Sequence, residues 1–298
     1  YIPSQEPDGN TSTSPSVNDA LAKDSGQIKL IYHVGPVDMP SGTEKDVTLE
    51  NPITMRFQTD KEIWVTGFAP KVVDTTGKEL PSELLHEAIV SNMHEENPLC
   101  SGSPNPFMIA TSQLTEIKLP DGFGYPVLST DPLEAKVVLK NLTDTSYVNV
   151  FFEFSLTARV MNEFANFKDV KPMLLELNPC DHTSEDIAPN DLAEKSATYK
   201  IPHKAKLISA QAALQDYGSF VEIKIDDNLQ PLWRSEAIVD DKNHNITEMS
   251  ANPFEDKNGI DLKQDDPITL TVVYDNQSDK WQKGATAAAM LYLAPTSF

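Results

Sequence analysis

A chain of 298 residues with 45 acidic and 24 basic side chains carries a formal charge of −21. That balance excludes a phosphate-neutralising nucleic-acid surface and disfavours anionic membranes. No apolar run approaches the length of a transmembrane helix, and the opening at Tyr1 has no signal-like segment, which reads as a mature exported protein after processing. The length is sufficient for two domains of ordinary size, each with a substantial core.

Residues 1–27 are rich in Ser, Thr, Pro, Asp and Gly and lack apolar periodicity. This predicts an extended polar tail that does not fold alone and is held either by its own body or by another subunit, with strand addition to a sheet edge as one route. Strand-like segments follow: QIKLIYHV, VTLENPITMRFQ, EIWVTGFAPKVVD, LLHEAIVSN, SQLTEIKLP, AKVVLKNL, SYVNVFFEFSLTARV and KPMLLELN. Their branched and aromatic residues, punctuated by Pro, Gly, Asn and Asp, indicate antiparallel strands. Short helical turns are expected in LEAKV, TARVMNEFANF and NDLAEKSA. The same style returns in TYKIPHKAKLISAQAAL, SFVEIKIDD, QPLWRSEAIV, PITLTVVYD and AAAMLYLAP.

The expected fold is therefore all-β, with two tandem antiparallel β-sandwiches of jelly-roll-like type after the tail. The first sandwich is placed at 28–179, a polar acidic linker at 180–200 and the second sandwich at 201–298. No period indicates a solenoid.

Residues able to carry chemistry are few. Cys100 and Cys180 are the two cysteines; they read either as one disulfide in an exported protein or as two thiols in a reducing compartment, and neither belongs to a close zinc-ligand pair. His33, His182, His203 and His244 are scattered and form no H-x-H or H-E-x-x-H pattern. Asp226 with Asp227, Asp240 with Asp241, and Asp265 with Asp266 sit at strand ends or turns, where oxygen ligands collect around calcium, but none follows the spaced D-x-D-x-D-G loop. Solvated turns are the simpler reading. No G-x-S-x-G or phosphate loop is present, and neither cysteine has an activating motif. Sequons begin at Asn10, Asn141, Asn245 and Asn276; glycosylation at any of them requires exposure in a secreted protein.

The segment KLISAQAALQDYGSFVEI, Lys206 to Ile223, resembles a strand and turn that reads roughly L-x-A-G-G-H-L-H-D-G-G in type-2 copper, ascorbate-dependent monooxygenase-like proteins. LLHEAIVSN is similar to that family's L-H-H-x-V-L-F-N strand and LPDGFGYPV to its L-P-x-G-x-G-Y-P-V turn. EMSANPF, GIDLKQDDPITLTVVYDN and AAAMLYLAP continue the likeness in order over most of residues 60–295. Within that family the likeness runs to the peptidylglycine alpha-hydroxylating monooxygenase and, more closely, the stress-up-regulated nodulin-like proteins.

The resemblance implies two copper sites, and this chain departs from it at both. Ala213 and Gln215 stand at the H-x-H positions; alanine has no donor atom, and an amide oxygen is a hard ligand that suits calcium better than copper. Of the first-site histidine pair His86 remains, followed by Glu87, with Asn141 near the place of a third imidazole. Met290 aligns with packing methionines, and the copper thioether would fall nearer Gly284.

The resulting expectation is an exported noncatalytic protein, secreted, periplasmic or at the cell surface, serving as a structural or interaction module in an assembly with a protein partner or with itself. In that setting Cys100 and Cys180 are expected to bridge. Two alternatives remain: a copper- and ascorbate-dependent monooxygenase using other ligands, and a single-site copper-binding protein using His86 with Met93, His94 and Glu87.

Overall fold

The computed structural model describes residues 26–41, 52–161, 167–177, 180, 185–215, 217–225, 230–239 and 246–296. Most of the predicted tail lies outside these residues, as do His182, His244, Asn10, Asn245 and the pairs at Asp226 and Asp240. The described chain is β-structure, antiparallel except for one short parallel pairing at Lys168–Asp169, with one 3-10 turn at Ser82–Leu84.

Ten strands come first: β1 (Gln27–Met39), β2 (Ile53–Phe57), β3 (Ile63–Val73), β4 (Leu85–Glu96), β5 (Pro104–Ala110), β6 (Ile117–Lys118), β7 (Phe123–Val127), β8 (Leu133–Leu139), β9 (Tyr147–Val160) and β10 (Lys168–Asp169). Eleven follow: β11 (Lys171–Glu176), β12 (Glu185–Ile187), β13 (Asp191–Lys200), β14 (Ala205–Leu214), β15 (Gly218–Ile225), β16 (Trp233–Val239), β17 (Ile246–Met249), β18 (Phe254–Leu262), β19 (Pro267–Asn276), β20 (Gln282–Ala285) and β21 (Ala287–Pro295).

The first sandwich pairs a sheet ordered β1-β9-β3-β7 with one ordered β2-β8-β4-β5. The second pairs β11-β21-β14-β18 with β13-β19-β15-β16. Setting aside the short strands β6, β10, β12, β17 and β20, both read 1-8-3-6 and 2-7-4-5 in chain order, which is jelly-roll topology twice over. The third strand of each roll even carries its bulge at the matching place, between Val65 and Gly67 in β3 and between Leu207 and Ser209 in β14.

Alternation explains most of the strands. In β9 Val150, Phe152, Phe154, Leu156 and Ala158 enter the first core while their neighbours face outward. β14 and β21 break that rule because both faces of their sheet are covered: Ala210, Ala212 and Leu214 enter the second core, whereas Ile208 and Ala213 pack on the first sandwich. In β21, Ala287, Ala289, Leu291 and Leu293 face the second core, and Ala288, Met290, Tyr292 and Ala294 face the first sandwich. A sheet buried on both sides selects a continuous apolar run, as SAQAAL and AAAMLYLA show.

Several elements differ from the sequence expectation. LEAKV lies in β8, TARV ends β9, and DLAEKSA begins β13; pairing with β2, β3 and β19 overrides their helical composition. The chain leaves the first sandwich at Val170, between β10 on β7 and β11 on β21, so KPMLLE already belongs to the second. The stretch expected as a linker at 180–200 contains β12 and β13.

Two sequons form the same buried clamp. Asn141 donates from Nδ2 to the carbonyls of Met39 (3.1 Å), Pro40 (2.9 Å) and Thr145 (2.8 Å), while its Oδ1 accepts from the Thr143 amide (3.1 Å) and hydroxyl (2.8 Å). Asn276 donates from Nδ2 to Ile187 (3.3 Å), Ala188 (2.8 Å) and Lys280 (2.8 Å), and its Oδ1 accepts from the Ser278 amide (3.1 Å) and hydroxyl (2.7 Å). Each hydroxyl also bonds the residue two further on. Each clamp ties the loop after the seventh strand of its roll to the end of an edge segment. The exposure that glycosylation requires is absent at both, since Asn141 is 5 % and Asn276 0 % exposed.

Candidate functional site

Of the residues singled out by sequence, His86, Ala213, Gln215 and Met290 meet where the two sandwiches dock. His86 is the second residue of β4 and is buried beside the end of β14, where Gln215 donates from Nε2 to the His86 carbonyl at 2.9 Å. Two residues earlier, Ala213 pairs with Ala288 across β21, and Gln211 pairs with Met290. Side chains two apart share a face, so Ala213, Gln215 and Met290 all point at the first sandwich. The packing assigned to Met290 is what the structure shows: it is fully buried in the first core.

This junction is cross-linked by polar contacts as well as packing. Tyr292 donates to the Phe107 carbonyl at 3.0 Å and Asn252 to Thr115 Oγ1 at 3.4 Å. Lys171 Nζ lies 3.1 Å from Glu95 Oε1, whose other oxygen accepts from Tyr125 (3.2 Å) and Asn105 (3.3 Å). Burial and the Glu95 carboxylate raise the Tyr125 phenol well above its ordinary range, so it stays a neutral donor. The Cys100–Cys180 disulfide, Cα atoms 5.3 Å apart, joins the β4–β5 connection to the chain following β11 and so spans the same seam.

Burial, assisted by the Lys140 ammonium, pushes the His86 imidazole down to about 3, and Nδ1 has no hydrogen-bonding partner among the described residues. Ser209 Oγ and Gln211 Oε1, on the docking face of β14, are buried in the same way. Protonating His86 inside the closed junction is therefore costly.

The copper-type set expected from sequence does not assemble. His94 lies at the far end of β4, eight residues from His86 by number, roughly 26 Å at about 3.3 Å per residue. It is largely exposed, with Nδ1 3.3 Å from Asp131 Oδ1, and Asp131 is itself held by Asn92 (3.2 Å) and the Leu128 amide (2.9 Å). Met93, one residue away, projects to the opposite face. Ala213 has no donor and the Gln215 amide is engaged with His86, so the residues present do not fit a copper centre. Among the described residues no three His, Cys, Asp or Glu side chains group as a cation cage, and the Asp265–Asp266 pair lies in a solvated turn.

Two concavities lie away from the junction. One, about 670 Å³, sits on the outer face of the first sandwich between Thr157, Arg159, Phe167 and the 116–122 segment; the other, about 500 Å³, sits beside Tyr217, Val239 and Asp275. The sequence reading missed the Glu95–Lys171–Tyr125–Asn105 group. Its one legible signal was a phenol-bearing strand at Tyr125, while the convergence of four strands depends on topology.

No family model matches this chain, and no curated protein matches it. Among solved structures it is similar to a chain from the atomic structure of Sulfolobus turreted icosahedral virus, with 9 % identity, a TM-score of 0.38, and coverage of 89 % of this chain and 90 % of that one. It is also similar to PNGF-II (8 % identity, TM-score 0.42, 90 % and 66 % covered) and to N-glycanase F (7 %, 0.37, 92 % and 97 %). At these scores the likeness is one of β-rich architecture.

Proposed function

We propose that this chain is an exported, noncatalytic structural or interaction module, in which two jelly rolls act as one stiff body and serve as a subunit of an extracellular or periplasmic assembly. One observation supports this most: the face that the copper-monooxygenase resemblance marks for ligands is a docking surface. Ala213 packs there, Met290 fills the core, and Gln215 bonds the opposing backbone. A disulfide across the same seam suits an oxidising compartment. Persistence of a fold without its chemistry is ordinary.

The test supplies purified protein with Cu(II), and with Cu(I) under ascorbate, followed by desalting and elemental analysis. The expected result is no stoichiometric copper held at about micromolar affinity and no copper-stimulated, ascorbate-dependent hydroxylation. Stoichiometric copper lost in His86→Ala would establish the single-site carrier instead. Light scattering on protein released gently from its native compartment tests assembly, and a strictly monomeric species would overturn the subunit role.

A further inference from the structure

We infer that Asn141 and Asn276, which both read as N-glycosylation acceptors, are closed to glycosylation in the folded protein and act as a matched pair of internal clamps. The acceptor atom decides the matter. Glycosyl transfer forms a bond from the sugar's anomeric carbon to Nδ2, removes one amide hydrogen and expels the donor's phosphate leaving group. An amide nitrogen has two hydrogens. Here those two serve three carbonyls within 3.1 Å at Asn141 and within 3.3 Å at Asn276.

No path leads a sugar out of either site. With exposures of 5 % and 0 %, a glycan on Nδ2 would have to displace the strand ends at Met39–Pro40 or Ile187–Ala188 that the amide holds. Folding and modification at these positions therefore exclude one another.

The triplet itself has a structural origin. The hydroxyl two residues on, which defines a sequon, is here the donor to Oδ1: Thr143 at 2.8 Å and Ser278 at 2.7 Å. The oxygen of that hydroxyl in turn accepts from the backbone amide of Thr145 or Lys280, closing the loop. A buried Asn needing a short hydroxyl partner at that spacing writes N-x-S/T without any call on glycosylation. Both rolls carry the clamp at the same topological point, so the two triplets share one cause.

The experiment presents the full chain, folded and disulfide-bonded, or reduced and unfolded, to an oligosaccharyltransferase with a lipid-linked oligosaccharide donor, and maps occupancy by glycopeptide mass spectrometry. Asn141 and Asn276 should be modified in the unfolded chain, with occupancy in the folded chain lower by at least about tenfold, the ratio matching roughly one buried hydrogen bond. Comparable occupancy on the folded chain would overturn the inference. So would the absence of modification in both forms, because local sequence rather than the fold would then close the sites. As an independent readout, unfolded chain glycosylated at either position should refold, by protease resistance, with a yield reduced by a similar factor; full refolding with the glycan retained would refute the clamp.

Discussion

Lowering the pH should weaken this protein through His86 in a way that a single substitution can isolate. The imidazole is held neutral by burial at about 3 in the folded state and titrates near 6.5 when unfolded. Below about pH 6.5 the unfolded chain binds a proton that the folded chain refuses, so stability is complete above that value and falls as pH drops towards 3. The loss from this group is about 1 kcal/mol between pH 7 and 5.5 and about 3 kcal/mol by pH 4, at 1.36 kcal/mol per unit. Urea unfolding of the parent and of His86→Leu at pH 7, 5.5 and 4 measures it, because other titrating groups cancel in the difference. The parent should lose about 3 kcal/mol more than the variant by pH 4. Equal losses in the two proteins would refute the assignment of His86 as a neutral buried group at the junction.

Other consequences follow from the same geometry. Replacing Cys100 and Cys180 by Ser opens a cross-link between positions 80 residues apart; chain entropy gives about 4 kcal/mol, to be read as a lower denaturant midpoint, and a change under about 1 kcal/mol would mean that the seam is held by packing alone. Asn141→Ala and Asn276→Ala each strip a clamp of its amide and should each cost about 3 to 5 kcal/mol, alike to within about 1 kcal/mol when compared by chemical denaturation. Ala213→Lys places a charge on the closed face between the sandwiches and should cost several kcal/mol, whereas Lys71→Ala at the equivalent exposed position should change thermal stability by about 1 kcal/mol or less.

Much of the fold could be read from the sequence, because the rolls are built from strands whose alternation is visible. Phe152, Phe154 and Leu156 announce an inward face by themselves. The exceptions share a cause. NDLAEKSA composes as a helix, yet as β13 it is an edge strand whose structure is set by pairing with β19. The boundary at Val170 was hidden because β10 and β11 are separated by one residue, and nothing local marks a change of partner there. His86 was read as part of one site and Ala213 with Gln215 as part of another, and the hydrogen bond from Gln215 to the His86 carbonyl across the closed seam was not legible in the motifs. Glu95 with Lys171 and the identity of the two Asn clamps required the three-dimensional pairing of distant loops.

Counting from the bulges, Ala213 and Ala288 of the second roll correspond to Lys71 and Glu153 of the first, which are likewise paired across their strands. The same sheet position is thus apolar where it is covered and ionic where it meets water. His33 adds a 2.8 Å contact to Glu153 and Glu79 an ion pair to Lys71, so the open sheet of the first roll is a solvated face. At the other end of the stack, the open sheet of the second roll carries Glu222 with Lys224 at 2.8 Å, and Arg234 laid over Phe220 at 3.6 Å. The internal junction joins unlike surfaces of two like rolls, the β11-β21-β14-β18 sheet of the second against the β5 side of the first, a geometry that would repeat indefinitely if the outer surfaces were copies of the inner ones. Lys71 and Glu153 oppose such a repeat, because a third roll docked there would strip water from Lys71, paired with Glu79, and from Glu153, held by His33.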